Sequence, residues 1–409
     1  MAITKGPLSG IRIIDMSHAH AGPFGTMLLS DLGAEIIKLE PPTGDLMRFG
    51  MPTIEVNPLF FYILTLNRNK RSIILDITAE HGRKAFDELV KISDVVFSNF
   101  RSDVPKRQGT DYETLKKINP RIIRSNISGY GETGPYVKYP AFDIIACGHS
   151  GILSISGEPG SHPIIPGGIA MADMMGGIFA VMSVLAALVN RDREGRGAKV
   201  ESSLLNSLLI MQKVIFQNYF TTGEKPGLQG RRHHMLPTYG IFETKDSFIT
   251  LGPTDDSLLL KIVGLEWMLE DPKFSNMLDR LANVEEFTKH FEEALRQRTT
   301  DDWLKVIRDE NNMASGPVLD YDQVANDPQV LKNEMITEIE LKGKKYKTIA
   351  SVFKMPGVIE GTPEPAPDHG QHTEEILKEL LNYSDDMIQN IVEENKLGVW
   401  RMQERKAKK

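Results

Sequence analysis

Residues 10–40 read GIRIIDMSHAHAGPFGTMLLSDLGAEIIKLE, and their order of patterns decides the fold class. The β-branched run IRIIDM (11–16) predicts a strand, SHAHAGP (17–23) a loop, FGTMLLSDL (24–32) a helix stopped by Gly33, and AEIIKLE (34–40) a second strand. This is a βαβ unit, whose first turn is where nucleotide-like ligands usually sit. The GxGxxG signature is absent, so neither NAD nor FAD is supported.

The alternation continues outward. SIILDI (72–77) predicts a strand, residues 78–93 a helix capped by Thr78, VVFSNF (95–100) a strand, residues 112–118 a helix, and RIIRSNISGYG (121–131) a strand entering a glycine turn. Such alternation implies an α/β fold, a Rossmann-like parallel sheet with helices on both faces. Arg68, Lys70 and Arg71 stand just before a strand, and Asn99, Arg101 and Arg107 at or beyond a strand end. Basic groups near strand ends of a doubly wound sheet suggest an anionic, phosphorylated ligand.

A chain of 409 residues with 41% apolar and 25% charged residues is that of a soluble globular protein with room for two domains. A net charge of -7 gives no footing for nucleic acid. The lone cysteine, Cys147, rules out an internal disulfide and fits a reducing, cytoplasmic setting. No signal-peptide layout opens the chain, and the apolar run 178–189 is too short to span a bilayer, so it is read as a buried core helix with no membrane role. Composition shifts at Thr222. Residues 1–221 are assigned to a large Rossmann-like domain and 222–335 to a smaller α/β domain with a strand at 248–252, helix through 284–308 and a strand at 316–319. Residues 336–409 are a C-terminal segment returning to the large domain, with two short amphipathic helices and a frayed KAKK end.

The chemistry concentrates at PIIPGGIAMADMMGGIFAVMSVLAAL, residues 163–188. Pro166, Gly167 and Gly168 forbid regular structure, and small apolar helix formers follow Asp173, which therefore lies near a helix start where the dipole keeps it ionised. An N-terminal cap is the plain reading. Gly176 and Gly177 argue for more: each costs about 1 kcal/mol in a helix, which is explained if a ligand approaches the backbone beside a nucleophilic or basic carboxylate. Cys147 and His149 would share one face of a strand, but a lone buried cysteine is usually packing. The pairs His18/His20 and His233/His234 lack metal-ligand spacing, so no metal is expected.

These blocks, with NPRIIRSNISGYGETGP, PAFDIIACGHSG, the DPQV stretch at Asp327 and PAPDHGQHTEEIL, resemble the class III CoA-transferase family, which includes formyl-CoA and carnitine CoA-transferases, over nearly the whole chain. The resemblance implies a large Rossmann-like domain, a small domain, and two subunits interlocked like links of a chain, a homodimer or a heteromer with a related subunit. It implies no prosthetic group, with coenzyme A (as acyl-CoA) and a carboxylic acid as substrates. Asp173 matches the nucleophile that forms an acyl-aspartyl anhydride and then an aspartyl-CoA thioester. By similarity CoA contacts His20, Ala21, Leu75, Asn99, Phe100, Arg101 and Arg107, with Arg107 the best phosphate ligand.

Departures matter as well. His20 replaces a glutamine and Pro41 an arginine of formyl-CoA transferase, and RRHHMLP (231–237) replaces a glycine run, which weighs against formate and oxalate. Arg231, Arg232 and His233, beside His234, are predicted to meet the second carboxylate of a dicarboxylic acid such as succinate; an exposed basic loop is the plain alternative. A racemase of α-methylacyl-CoA esters is the rival activity, but its histidine is Phe142 here, which cannot exchange a proton. Asp143 is either a partner carboxylate near Asp173 or a buried, hydrogen-bonded structural group, and the structural role is favoured. A CoA-binding subunit without chemistry is the alternative of a different class.

Overall fold

The structure, a computed structural model, describes residues 5–49, 65–233, 235–341 and 343–407. His234 and the last two lysines of KAKK lie outside the described residues. The chain forms two compact units, one of Met1–Ile152, Gly168–Val214 and Lys332–Lys409, the other of Leu153–Gly167 and Ile215–Leu331. The second therefore begins before residue 222 and takes in a segment that sequence placed in the large domain. The physical reason is backbone pairing: Gln229 N–H donates to the Ile155 carbonyl at 3.0 Å and Gly230 N–H to that of Gly157 at 2.8 Å.

The first unit is built on six parallel strands: β1 (Arg12–Asp15), β2 (Glu35–Glu40), β3 (Lys70–Ile74), β4 (Val95–Ser98), β5 (Ile123–Ser128) and β6 (Lys199–Ser203), in the order β3-β2-β1-β4-β5-β6. This is the doubly wound order, with its switch point between β1 and β4. The central strands β2, β1, β4 and β5 are buried on both faces, as a parallel sheet between helices requires, whereas the edge strand β6 is polar and largely uncovered.

Helix α1 (Ala21–Asp31) starts earlier than the pattern suggested, because Pro23 is tolerated in a first turn that needs no N–H from it. Helix α2 (Glu80–Lys91) buries Ala85, Phe86, Leu89 and Val90, but Ala79 and not Thr78 precedes it; the Thr78 hydroxyl donates to Asp76 at 2.6 Å instead. Helix α3 (Tyr112–Ile118) is capped by Asp111. Residues Asp143–Ser150 form a helix, α4, rather than a strand, so Cys147 and His149 diverge: Cys147 is buried and His149 exposed.

Helix α5 (Met171–Glu194) is long and apolar enough to cross a membrane by length and composition, yet it is a core helix of this unit, packed on α1, β5, β6 and helix α6 (Leu204–Met211). Its glycines explain the closeness. A Cβ at Gly177 would stand 2.8 Å from the Ala21 carbonyl oxygen and 3.0 Å from the Phe24 ring; one at Gly176 would stand 2.9 Å from Leu204. Both glycines are buried against protein, so packing, and not an open approach for substrate, accounts for them.

The second unit holds an antiparallel sheet of order β10-β9-β8-β7, made of β7 (Arg232–His233), β8 (Leu236–Glu243), β9 (Phe248–Leu251) and β10 (Ser315–Pro317). Helices α7 (Asp256–Ile262) and α8 (Val284–Leu295) cover a core that includes Phe242, Ile249, Phe287, Phe291 and Trp303.

The chain then returns to the first unit through a hairpin that the sequence reading missed, β11 (Ile336–Leu341) and β12 (Lys344–Ile349), and two helices. Helix α9 (Thr373–Leu381) is short, but α10 (Asp385–Ala407) is a single long helix running into the basic end expected to fray. Ile376, Leu377, Ile388 and Ile391 join Phe86 and Leu89 in one core.

Candidate active site

Beneath the ends of β1 and β2 lies a buried set of charges. Asp15 accepts from Lys70 Nζ at 3.0 Å and from the Thr26 hydroxyl at 2.7 Å; Lys38 Nζ donates to Asp45 at 3.0 Å and to the Ser17 carbonyl. Glu40 takes Arg48 at 2.7 and 2.8 Å. Burial alone would raise the carboxyl pKa values, but the lysines outweigh it and hold Asp15 and Glu40 below the ordinary carboxylate range and Asp45 at about 2. Burial pushes Lys70 down to about 8, against the pull of Asp15. The basic cluster read as ligand-facing is thereby accounted for. Arg68 pairs with Asp31 at 2.5 Å, and Arg71 with Glu35, Glu375 and Glu379.

Above these charges the carboxyl ends of β1–β4 open into a cleft of about 380 Å³. Its walls include Met16, His18, Leu39, Pro41, Leu75 and Phe100. Asn99 sits across the switch point, its Oδ1 accepting from His18 N–H at 2.9 Å and its Nδ2 donating to the His18 carbonyl at 2.7 Å. Of the residues predicted to hold CoA, Leu75 and Phe100 line the cleft, and Asn99 fixes the loop that forms it. Arg101 and Arg107 share Asp103, at 3.3 and 3.2 Å, and the Arg107 side chain is 65% exposed, next to the lining residue Gln108.

His18 was not among the expected ligands. Its ring lies 5.8 Å from that of Phe100 and is kept neutral by burial, with Asp45 opposing. Only the loop position after β1 could have pointed to it.

The same loop leads from His18 to His20 and Ala21 at the start of α1, and Ala21 lies against Gly177 of α5. Asp173 is in the first turn of α5 but is not its cap. Asp143, the first residue of α4, takes that role: its Oδ1 accepts from Ala172 N–H at 2.6 Å and from Asp173 N–H at 3.1 Å. The helix-end amides expected to keep Asp173 ionised thus serve Asp143. Asp173 is half-buried beside a second carboxylate, and burial first, then Asp143, pushes its pKa up to about 7. His20 feels the Asp143 charge too, although burial wins and lowers its pKa. The Cys147 thiol points to Asp143 at 3.6 Å and is pushed up to about 11, which removes it as a nucleophile at neutral pH. The Phe142 side chain makes no cap hydrogen bond, and the residue is 68% exposed.

A carboxylate with a raised pKa, at a glycine-packed helix start joined by one loop to a sheet-edge cleft, suits covalent acyl chemistry. Comparison with known proteins gives the family. The family described as CoA-transferase family III matches residues 8–373, leaving out α10. The chain belongs to CoA-transferase family III. This transferase is 37% identical to an acetyl-CoA:oxalate CoA-transferase of Acetobacter aceti over 81% of its own length and 86% of the relative's. It is 33% identical to a succinyl-CoA:glutarate CoA-transferase of Mus musculus over 94% and 89%. A crystal structure of a CAIB/BAIF family protein from Brucella suis superposes with a TM-score of 0.81 at 30% identity, over 92% of this chain and 100% of that one.

In the transferase Arg231, Arg232 and His233 do not form an open basic loop. Arg231 is paired with Glu292 at 3.1 Å and Glu243 at 3.5 Å, and Arg232 donates to the Thr288 hydroxyl and the Val284 carbonyl. His233 stacks on Tyr239 at 5.1 Å. Acidic and polar groups of β8 and α8 satisfy these side chains inside the second unit, so they are not presented as a receptor for a substrate carboxylate. Among the described residues no cluster of His, Cys, Asp and Glu could hold a metal ion.

Proposed function

We propose that this transferase moves CoA from an acyl-CoA, succinyl-CoA in the first instance, to a dicarboxylic acid, with Asp173 as the covalent carrier. Ionised Asp173 attacks the thioester carbonyl, giving a mixed anhydride and CoA thiolate. The thiolate then attacks the aspartyl carbonyl of the anhydride, releasing the donor acid and leaving an aspartyl-CoA thioester. The acceptor carboxylate attacks that thioester, expelling thiolate and forming a second anhydride. Thiolate attack on the new acyl carbonyl releases the product acyl-CoA and restores Asp173.

The observation that carries this reading is the environment of Asp173: burial and Asp143 destabilise its negative charge, and every acylated state removes that charge. The nucleotide end of CoA is assigned to the cleft at β1–β4, and the loop from His18 to Ala21 provides the path to Asp173. The names of the relatives make succinate, glutarate and oxalate the acids to try first. The assembly inferred from the resemblance is an interlocked homodimer or a heteromer with a related subunit, and the lone Cys147 favours a cytoplasmic setting.

A mass-spectrometric assay in heavy water tests this, with succinyl-CoA, a panel of mono- and dicarboxylic acids, and Asp173→Ala alongside. A new CoA ester that vanishes in the variant is expected. Transfer that survives in Asp173→Ala overturns the role of Asp173; deuterium gained at the α-carbon without transfer makes the protein a racemase.

A further inference from the structure

The loop between β1 and α1 is held by buried side chains rather than by strand or helix pairing. Ser17 N–H donates to Asp15 Oδ1 at 2.9 Å, and the Ser17 carbonyl accepts from Lys38 Nζ at 3.0 Å. His18 gives both of its backbone groups to Asn99. Ala19 N–H donates to Asp45 Oδ1 at 3.1 Å, and the His20 carbonyl accepts from Phe24 N–H in the first turn of α1.

Ala19 is the odd member of this loop. Its φ is +63°, in the left-handed region where a Cβ crowds the backbone. Asn69, Asn312 and Asn382 share that region, but asparagine tolerates it by bonding locally through its side chain, and alanine has no side-chain oxygen with which to do so. The surroundings must hold it there. What the turn achieves is visible on either side of it: His18 lines the cleft, and His20 lies close enough to Asp143 to feel its charge. The reversal at Ala19 therefore sets how the loop leads from the cleft toward Asp143 and Asp173.

Asp45 is placed to hold that reversal. The residue is 1% exposed; its Oδ1 takes Met47 N–H at 3.0 Å as well as Ala19 N–H, and its Oδ2 takes Lys38 Nζ at 3.0 Å. It thus ties the loop after β1 to the loop after β2, whose Pro41, Pro42 and Thr43 are also cleft wall. Lys38 in turn grips the Ser17 carbonyl, so a single buried ion pair fixes the loop at Ser17 and at Ala19.

We propose that Asp45 is a positioning residue for acyl transfer: through Ala19 N–H it holds the left-handed turn that aims acyl-CoA from the cleft at Asp173. The proposal rests on the reading of that loop as the path from the cleft to Asp173. A double-mutant cycle on the full chain tests it, with kcat and KM for succinyl-CoA as readouts and urea midpoints to show that folded enzyme is assayed. Asp45→Ala is expected to lower kcat about tenfold or more, and to change KM less, since a small misplacement of reacting groups is costly to the rate. On an Ala19→Gly background the same substitution should cost at least about threefold less, because glycine takes a positive φ without a clamp. A loss of equal size in both backgrounds overturns the proposal, because a merely structural Asp45 does not act through residue 19. Ala19→Val leaves Asp45 and Lys38 in place and should itself lower kcat about tenfold, a β-branched residue being a poor occupant of this region; wild-type kcat in that variant also overturns the proposal. If Asp45→Ala fails to fold, Ala19→Val decides alone. Wild-type transfer that survives in Asp173→Ala overturns the reading of the path, and the proposal with it; in the other failures Asp173→Ala stays inactive.

Discussion

At the scale of single residues, two carboxylates with different neighbours divide the work. Asp143 accepts the amides of Ala172 and Asp173, while Asp173 is left to burial and to the Asp143 charge. Only ionised Asp173 is a nucleophile, so kcat/KM for the acyl-CoA should rise with pH and level off above about 7. Asp143→Asn retains an oxygen to accept both amides but loses the charge; the rise should shift to lower pH, and an unmoved pH–rate profile would count against the coupling. Stability carries the opposite sign. A carboxyl raised from 3.8 to about 7 by folding contributes stability below 3.8 that is lost as pH rises through about 7. Asp173→Asn should therefore be inactive yet more stable than wild type in urea at pH 8, with the gain much reduced at pH 4.

At the scale of elements, the contact of α1 with α5 positions the site. The sequence revealed the helix start and its glycines, because proline and glycine punctuation is local. It did not reveal what the glycines accommodate, since the Ala21 carbonyl and Phe24 that fill the space at Gly177 belong to a helix some 150 residues earlier in the chain. Gly177→Ala places a Cβ 2.8 Å from a backbone oxygen, so α1 must shift. The cost should be about 1–3 kcal/mol of overpacking, read from urea denaturation. Transfer should fall as well, because the displaced end of α1 carries the loop that joins the cleft to Asp173. A variant with wild-type stability and rate would show that the interface yields freely.

For the whole molecule, the doubly wound sheet was legible because each βαβ unit announces itself in about thirty residues of pattern. The buried charges were not, because each side chain finds its partner far along the chain: Lys70 meets Asp15, Arg71 meets Glu375, and the cluster reads locally as a ligand surface. The Asp143–Asp173 pair was legible only as the less favoured of two readings of Asp143, its structural character being the favoured one. The buried network makes acid stability a property of the whole fold. Folding lowers Asp15, Glu40 and Asp45, so their contribution is complete above the ordinary values of 3.8 to 4.5 and is lost as pH falls toward about 2. The urea midpoint should drop steeply through that window. Lys38→Met tests the cause, since it removes the ammonium that pulls on all three carboxyls. It should cost about 3–5 kcal/mol at pH 7, the usual result of stranding a buried charge, and should flatten the acid limb because the carboxyls no longer titrate so low. A variant as stable as wild type at pH 7, with an equally steep acid limb, would place the origin of acid unfolding outside this network.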